Sequence, residues 1–216
     1  MTGTKATRLH AWAEEAGRAF LRFDYSGHGA SSGAFEDGAI GDWAEDAYRA
    51  FSALTQGPQI LIGSSMGGWI SLLLIKRLAA EGAAERVCAF VGVAAAPDFT
   101  EDSMTAGLTE DQAAALDAAG RIELPSDYSP DPYIITKRLL EEGRNQLVLR
   151  EPLVLPFPVR LFQGTADKDV EPKVALRLLD HIDCPDAQLT LIKDAGHSLS
   201  EPRELELLID AVESIA

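Results

Sequence analysis

The chain has 216 residues, 46% of them hydrophobic and 25% charged, a balance that suits one globular domain with a sizeable core. That composition excludes a disordered tail, a collagen and a coiled coil. With 19 Lys and Arg against 34 Asp and Glu, the net charge of -15 argues against nucleic acid and anionic membrane surfaces as partners.

In chain order, residues Met1 to Gly17 mix small, charged and apolar types in a helical pattern, with Thr4 to Ala16 as the helix and no basic-then-apolar leader. Short β-rich runs then alternate with helical stretches, which predicts an α/β protein with a mostly parallel sheet and helices on both faces. The predicted strands are Ala19 to Phe23, Gln59 to Ile62, Val87 to Ala94, Val159 to Gln163 and Gln188 to Ile192. The predicted helices between and after them are Ile40 to Leu54, Met66 to Ala80, Val174 to His181 and Pro202 to Ile215. In the last, Leu205, Leu208, Ile209 and Val212 recur at helical spacing and form one buried face.

Residues 98–157 break this rhythm. They offer two helical candidates, Thr109 to Ala118 and Ile134 to Val148, and no strand pattern. At roughly 60 residues the segment is too long for a plain connection, so a helical lid inserted into a core of 1–97 and 158–216 is expected. The longest apolar stretches, Ile60 to Ile62 and Ile70 to Ile75, fall far short of the ~20 residues of a membrane span. The two cysteines, Cys88 and Cys184, lack metal-ligand spacing, and Cys88 lies in an apolar run where a small buried hydrophobe is expected. A reduced, cytoplasmic setting follows as the expectation.

Two segments match Gly-x-Ser-x-Gly: Gly29-Ala30-Ser31-Ser32-Gly33 and Gly63-Ser64-Ser65-Met66-Gly67. A nucleophile elbow needs a strand immediately before the strained turn and a helix immediately after it. Only the second has both, so Ser65 is the candidate nucleophile. A serine hydroxyl needs a base to take its proton and an acid to orient that base. Of the four histidines, His10 lies in the first helix, His181 ends a helix, and His28 sits in the turn Tyr25-Ser26-Gly27-His28-Gly29, where bonding to backbone is the ordinary role. His197 follows the last predicted strand in a Gly-bearing loop, at the sheet edge where catalytic groups gather in open α/β sheets, and is the candidate base. Asp167 and Asp169 both follow the fourth strand. Asp167 is the better candidate acid, three residues past Gly164, with Val170 three further on to anchor the loop. Asp194, three residues from His197, reads as a loop hydrogen-bond acceptor. No metal or cofactor site is indicated.

The order Ser65, Asp167, His197 and the segments Gly3-Thr4-Lys5-Ala6, Arg22-Phe23-Asp24-Tyr25-Ser26-Gly27, Gly57 to Trp69 and Val91-Gly92-Val93-Ala94 resemble an α/β-hydrolase. More narrowly they are similar to the family of the mitochondrial palmitoyl-protein thioesterase that also cleaves acyl glucuronides, with its bacterial relatives. The resemblance implies ester or thioester hydrolysis without a cofactor, on small-molecule or acyl-protein substrates, with the Met66 N–H as one oxyanion-hole donor. Gln163 departs from the pattern, standing where many such hydrolases have His before the Gly.

The resemblance also implies that the first predicted strand corresponds to strand 4 of the fold, so that strands 1 to 3 and the loop carrying the second oxyanion donor are absent. Met1 is then expected to be an internal methionine of a longer reading frame, the competing expectation being a short protein whose strand 4 docks directly on strand 5. Losing one oxyanion donor costs about 2.7 to 4 kcal/mol of transition-state stabilisation. The alternatives are thus a catalytically impaired hydrolase-fold protein, or a peptidase or carbon-carbon hydrolase using the same triad. Leu108, Leu116, Ile122, Leu124, Tyr128, Tyr133, Ile134 and Ile135 of the lid either line an acyl pocket or pack the lid itself.

Overall fold

The computed structural model describes residues 1–125 and 132–216. Tyr128, one of the candidate pocket residues, lies outside them. The core elements are α1 (Thr4–Glu15), α2 (Ile40–Leu54), β1 (Gln59–Ser64), α3 (Met66–Ala80) and β2 (Val87–Val93). The 98–157 segment holds α4 (Glu110–Ala119), β3 (Arg121–Leu124), β4 (Tyr133–Thr136), α5 (Lys137–Gly143) and β5 (Leu153–Val154). The core resumes with β6 (Val159–Gly164), α6 (Pro172–His181), β7 (Ile182–Asp183), β8 (Ala187–Ile192) and α7 (Pro202–Ser214).

The central sheet is parallel, with order β1-β2-β6-β8. Side chains of β2 alternate between its two faces, as strand geometry requires. Phe90 joins a core with Trp43 and Phe51 of α2, Trp69 and Leu72 of α3 and Leu178 of α6. Val91 and Val93 join the opposite core with Leu9 and Trp12 of α1 and Leu208, Ile209 and Val212 of α7. Both faces are therefore covered, which is the condition for so apolar a strand.

The predicted strand Ala19 to Phe23 is not a strand. The chain there makes no ladder, and the sheet has four strands instead of five. A cavity of about 670 Å³, lined by Leu21 and Phe23 on one side and Ile60, Ile62 and Ile70 on the other, separates it from β1. A strand is defined by the partner that takes its peptide hydrogen bonds, and across this gap neither edge has one. Direct docking of this segment on β1 is thereby excluded.

The expectation for Cys88 is also corrected. Gln59 pairs with Val87 and Ile60 with Ala89, so Cys88 is the extra residue of a bulge in β2. The bulge leaves it exposed instead of buried, and both cysteines are free.

The 98–157 segment is mixed, not helical. Gly120, in the left-handed conformation at φ 73, ends α4 and leads directly into β3, which pairs antiparallel with β4. Ile134 to Thr136, expected as the start of a helix, belong to the strand Tyr133–Thr136 because the β-branched run Ile134-Ile135-Thr136 suits a half-buried pleat. The helix begins one residue later, with the Thr136 hydroxyl accepting from Leu139 N at 3.1 Å as its N-cap. Leu116, Ile122, Ile135 and Leu140 form a small separate core, with Leu108 and Leu124 packed at its margin. These apolar residues therefore pack the segment itself.

Two devices fasten this segment. Asp98, fully buried at φ 59, accepts from Val148 N (2.7 Å), Leu149 N (2.9 Å) and Arg150 Nη1 (3.2 Å), tying the entry of the segment to its exit. Further along, Gly41 N donates to Glu142 at 2.8 Å and Trp69 Nε1 donates to Gln146 O at 2.9 Å, which seat α5 and the turn after it against α2 and α3.

Candidate active site

Each candidate side chain sits at the carboxyl end of a sheet strand. Ser65 links β1 to α3 with φ 53 and ψ -122, a conformation that non-glycine residues seldom adopt. The crowding of the turn is specific. A Cβ on Gly63 would lie 2.4 Å from the Gly67 carbonyl oxygen, and one on Gly68 would lie 2.5 Å from the Ala95 Cβ, whereas Gly67 has no neighbour closer than the Tyr25 hydroxyl at 3.9 Å. The strained turn is held by Ser65 N donating to Val93 O (2.9 Å) and by Ala96 N and Gly68 N donating to Ser65 O (3.1 and 2.9 Å). Met66 is the first residue of α3, so its N–H is among those a helix leaves without an internal acceptor.

His197 lies in the loop between β8 and α7. Its Nε2 is 3.1 Å from Ser65 Oγ and its Nδ1 is 2.9 Å from Asp167 Oδ2. Asp167, only 5% exposed, also accepts from Asp169 N and Val170 N, each at 2.9 Å on Oδ1, and from Gln163 Nε2 at 2.9 Å on Oδ2. The ring bond of His197 goes to Asp167, and the backbone of Asp169 helps hold that carboxylate in place. The two loops are stitched together by Thr165 N to Ile192 O (2.9 Å), Ala166 N to Ala195 O (3.0 Å) and Asp194 N to Thr165 Oγ1 (2.8 Å). Asp194, expected as a hydrogen-bond acceptor of the loop, makes this contact as a donor through its backbone N–H.

The other candidates stay apart. Ser31 lies in a turn and donates to Asp24 O at 2.7 Å. His28 Nδ1 is 3.1 Å from Ser26 O, and its ring meets Trp43 edge-on. His10 stacks on Phe20, and His181 Nε2 lies 2.6 Å from Glu151 O.

Burial pushes the Tyr25 hydroxyl up to about 12, with Asp46 adding to the effect, so the side of the elbow facing the cavity carries a neutral phenol. Burial likewise pushes the Lys5 ammonium down, against the opposing pull of Glu204, and Lys5 donates to the Ser198 carbonyl next to His197. Among the described residues, Asp167, Asp169 and His197 have donor atoms within 4.8 Å of one another. The Asp167 oxygen and His197 nitrogen that face each other are occupied by their own hydrogen bond. Sequence reasoning does not single out Gln163 or Asp98 as site residues. The signal for Gln163 is its place before Gly164, where His is common in hydrolases of this type.

A parallel sheet covered by helices on both faces, with serine, carboxylate and histidine in that chain order at its carboxyl edge, defines the class: the chain belongs to the alpha/beta hydrolase family, which it matches over residues 5–211. Over its whole length it is similar to the mitochondrial palmitoyl-protein thioesterase ABHD10. It is 33% identical to the Mus musculus protein, covering 71% of it, and 31% identical to the Homo sapiens protein, covering 69%. Among solved structures, one from Agrobacterium vitis S4 is 42% identical with a TM-score of 0.96, the match covering 100% of this chain and 83% of that one. Mouse alpha/beta hydrolase domain-containing protein 10 is 31% identical with a TM-score of 0.87, the match covering 99% and 84%.

Proposed function

We propose that the protein is a serine hydrolase that cleaves carboxylic esters or thioesters through an acyl-enzyme. The observation that supports this most is the unbroken relay from Asp167 Oδ2 through the His197 ring to Ser65 Oγ, at 2.9 and 3.1 Å. In the first half-reaction His197 Nε2 takes the Ser65 proton as Oγ bonds to the acyl carbon. The tetrahedral oxyanion is held by the Met66 N–H at the positive end of α3. The imidazolium, held by Asp167, then protonates the leaving alkoxide or thiolate as the C–O or C–S bond breaks. In the second half-reaction His197 deprotonates water, which attacks the ester carbonyl, and Ser65 leaves with its proton restored. No step requires a cofactor.

The mouse and human relatives named as palmitoyl-protein thioesterases support acyl thioesters as the substrate class. We propose the 98–157 segment as the lid over the site. Tyr133 of this segment is 38% exposed, with its ring 5.9 Å from that of Phe35. Among the described residues no helix is long and apolar enough to cross a membrane. A cytoplasmic setting suits the exposed Cys88 thiol, which stays reduced there; the named relatives are mitochondrial.

The test is labelling of the purified chain by a fluorophosphonate, followed by rates on a panel of acyl thioesters, aryl esters and aminoacyl amides. Labelling that disappears in Ser65→Ala, with thioesters or esters turned over fastest, is expected. Labelling that survives in Ser65→Ala overturns the assignment of the nucleophile, and preferential turnover of the amides would make the enzyme a peptidase.

A further inference from the structure

Gln163 is completely buried at the end of β6, one residue before Gly164. Burying a primary amide is unfavourable unless its polar atoms are bonded, and this one is bonded on one side only. Nε2 donates to Asp167 Oδ2 at 2.9 Å and to Val170 O at 2.8 Å, with Gly164 O at 3.3 Å, while Oε1 has no partner. All three neighbours of the nitrogen are acceptors. Exchanging the amide's oxygen and nitrogen would set an oxygen against a carboxylate and two carbonyls, so the orientation of the group is fixed.

The oxygen that Gln163 meets is the one that matters to the relay. Asp167 Oδ1 is saturated by the backbone N–H groups of Asp169 and Val170, whereas Oδ2 accepts only His197 Nδ1 and Gln163 Nε2 among the bonds of the described residues. The four bonds hold the carboxylate in one rotamer with one particular oxygen toward the imidazole. The Gln163 donor also shares the charge of that oxygen. A carboxylate that already accepts a bond stabilises a neighbouring imidazolium less than one that does not. The donor is an amide, so this moderating bond persists at every pH, and its hold on Val170 O fastens the far end of the acid loop to the same strand.

We infer that Gln163 is a positioning residue for the reaction, acting through Asp167 to orient His197 and to set the pH at which that ring becomes available as a base. The inference rests on the proposed Ser65–His197–Asp167 assignment. The charged groups facing His197 are the carboxylates of Asp167 and Asp169 on the β6–α6 loop. Lys5 of α1 lies against the Ser198 carbonyl, and neither this lysine nor those acids are altered when Gln163 is replaced.

Gln163→Met keeps roughly the same volume and removes the donor. Gln163→His retains an N–H able to bond at the same position. With active sites counted by fluorophosphonate titration, Gln163→Met is expected to lower kcat on a short-chain aryl ester about 10- to 100-fold with KM within about twofold. It is also expected to move the acid limb of the rate profile upward by about half a pH unit or more. Gln163→His should recover most of kcat. The His197 ring signal, followed by NMR against pH in wild type and both variants, reports the same displacement without reference to turnover and identifies a variant that has not folded.

An unmoved His197 titration and an unchanged kcat per titrated site in Gln163→Met would overturn the inference while leaving the triad intact. If Gln163→Met does not fold, Gln163→Leu, which likewise lacks the donor, takes its place, and wild-type titration of His197 with unchanged kcat per site in that variant equally overturns the inference. If Ser65→Ala still labels and turns over ester, the triad assignment fails and this inference fails with it.

Discussion

Gly164 and Ala195 approach so closely that a Cβ on the glycine would stand 2.2 Å from the Ala195 carbonyl oxygen. Gly164 ends β6 and leads to Asp167, Ala195 lies in the loop that carries His197, and the approach is to the backbone of Ala195. Neither side can yield by rotating a side chain. The acid and the base are thus set in register by the absence of a methyl group.

Gly164→Ala is therefore expected to push the two loops apart, costing about 1 to 3 kcal/mol of stability. Lengthening the His197–Asp167 bond should lower kcat more than it raises KM. Urea unfolding with steady-state kinetics on the same preparation checks both, and wild-type stability in Gly164→Ala would show that the contact relaxes freely.

At the nucleophile turn the glycines of the motif are not equivalent. Gly63→Ala is expected to disrupt the turn, because the obstructing atoms are the backbone carbonyl of Gly67 and the Cα of Gly68. Gly67→Ala should fold normally, with a loss of stability within about 1 kcal/mol, the propensity of alanine in a helix partly compensating. Thermal unfolding of both variants decides the matter, and equal losses would contradict the crowding described.

Asp98 closes the base of the 98–157 segment by satisfying two buried N–H groups. Asp98→Ala strands both in an apolar setting, and a loss of about 3 kcal/mol is expected, since one buried unpaired donor alone costs about 1 to 3. Limited proteolysis should then cut within residues 98–157 before it cuts the core. Uniform digestion would indicate that the segment is not an independently opening unit.

Asp102 provides a pH signature for the same region. Burial tends to push its carboxyl up, but hydrogen bonds from Arg150 and Arg177 outweigh this and hold it below the usual carboxylate range. A carboxylate depressed in the folded state contributes stability above its unfolded value, about 4, and loses it as the pH falls through the lower folded value. Asp102→Asn should accordingly destabilise at pH 7, by about 1 kcal/mol or less given the partial exposure of the pair, and much less near pH 3. Denaturation midpoints at the two pH values test this, and an equal effect at both would assign the loss to packing.

The sequence made the helices and the candidate relay readable because each of their parts has a local signal. Ile40–Leu54 and Met66–Ala80 have the expected boundaries because their apolar spacing and flanking turns lie within one stretch of chain. Ser65, Asp167 and His197 are legible because each follows a strand, and strand ends in a parallel sheet converge. What escaped depended on partners distant in sequence. Ala19 to Phe23 is apolar enough for a strand, yet strand identity resides in the neighbour, and across the cavity there is none. Ile134 to Thr136 are apolar enough for a helix until β3 offers an edge. Cys88 turns outward because of a one-residue slip against Gln59, which nothing in its apolar surroundings announces.

The cavity beside β1 bears on how firmly the nucleophile stands. β1 carries Ser65 at its end, but its ladder exists on the β2 side only, and Ile60, Leu61 and Ile62 are half-buried where their counterparts in β2 are fully covered. Alternate peptide N–H groups of β1 face this space and should trade hydrogen for deuterium at least about tenfold faster than those of β2. The strand that carries the nucleophile would then record the kinetics of a rim. An exchange map resolved to single amides would reveal it, and the serine assigned the chemistry would stand on an edge strand of the sheet.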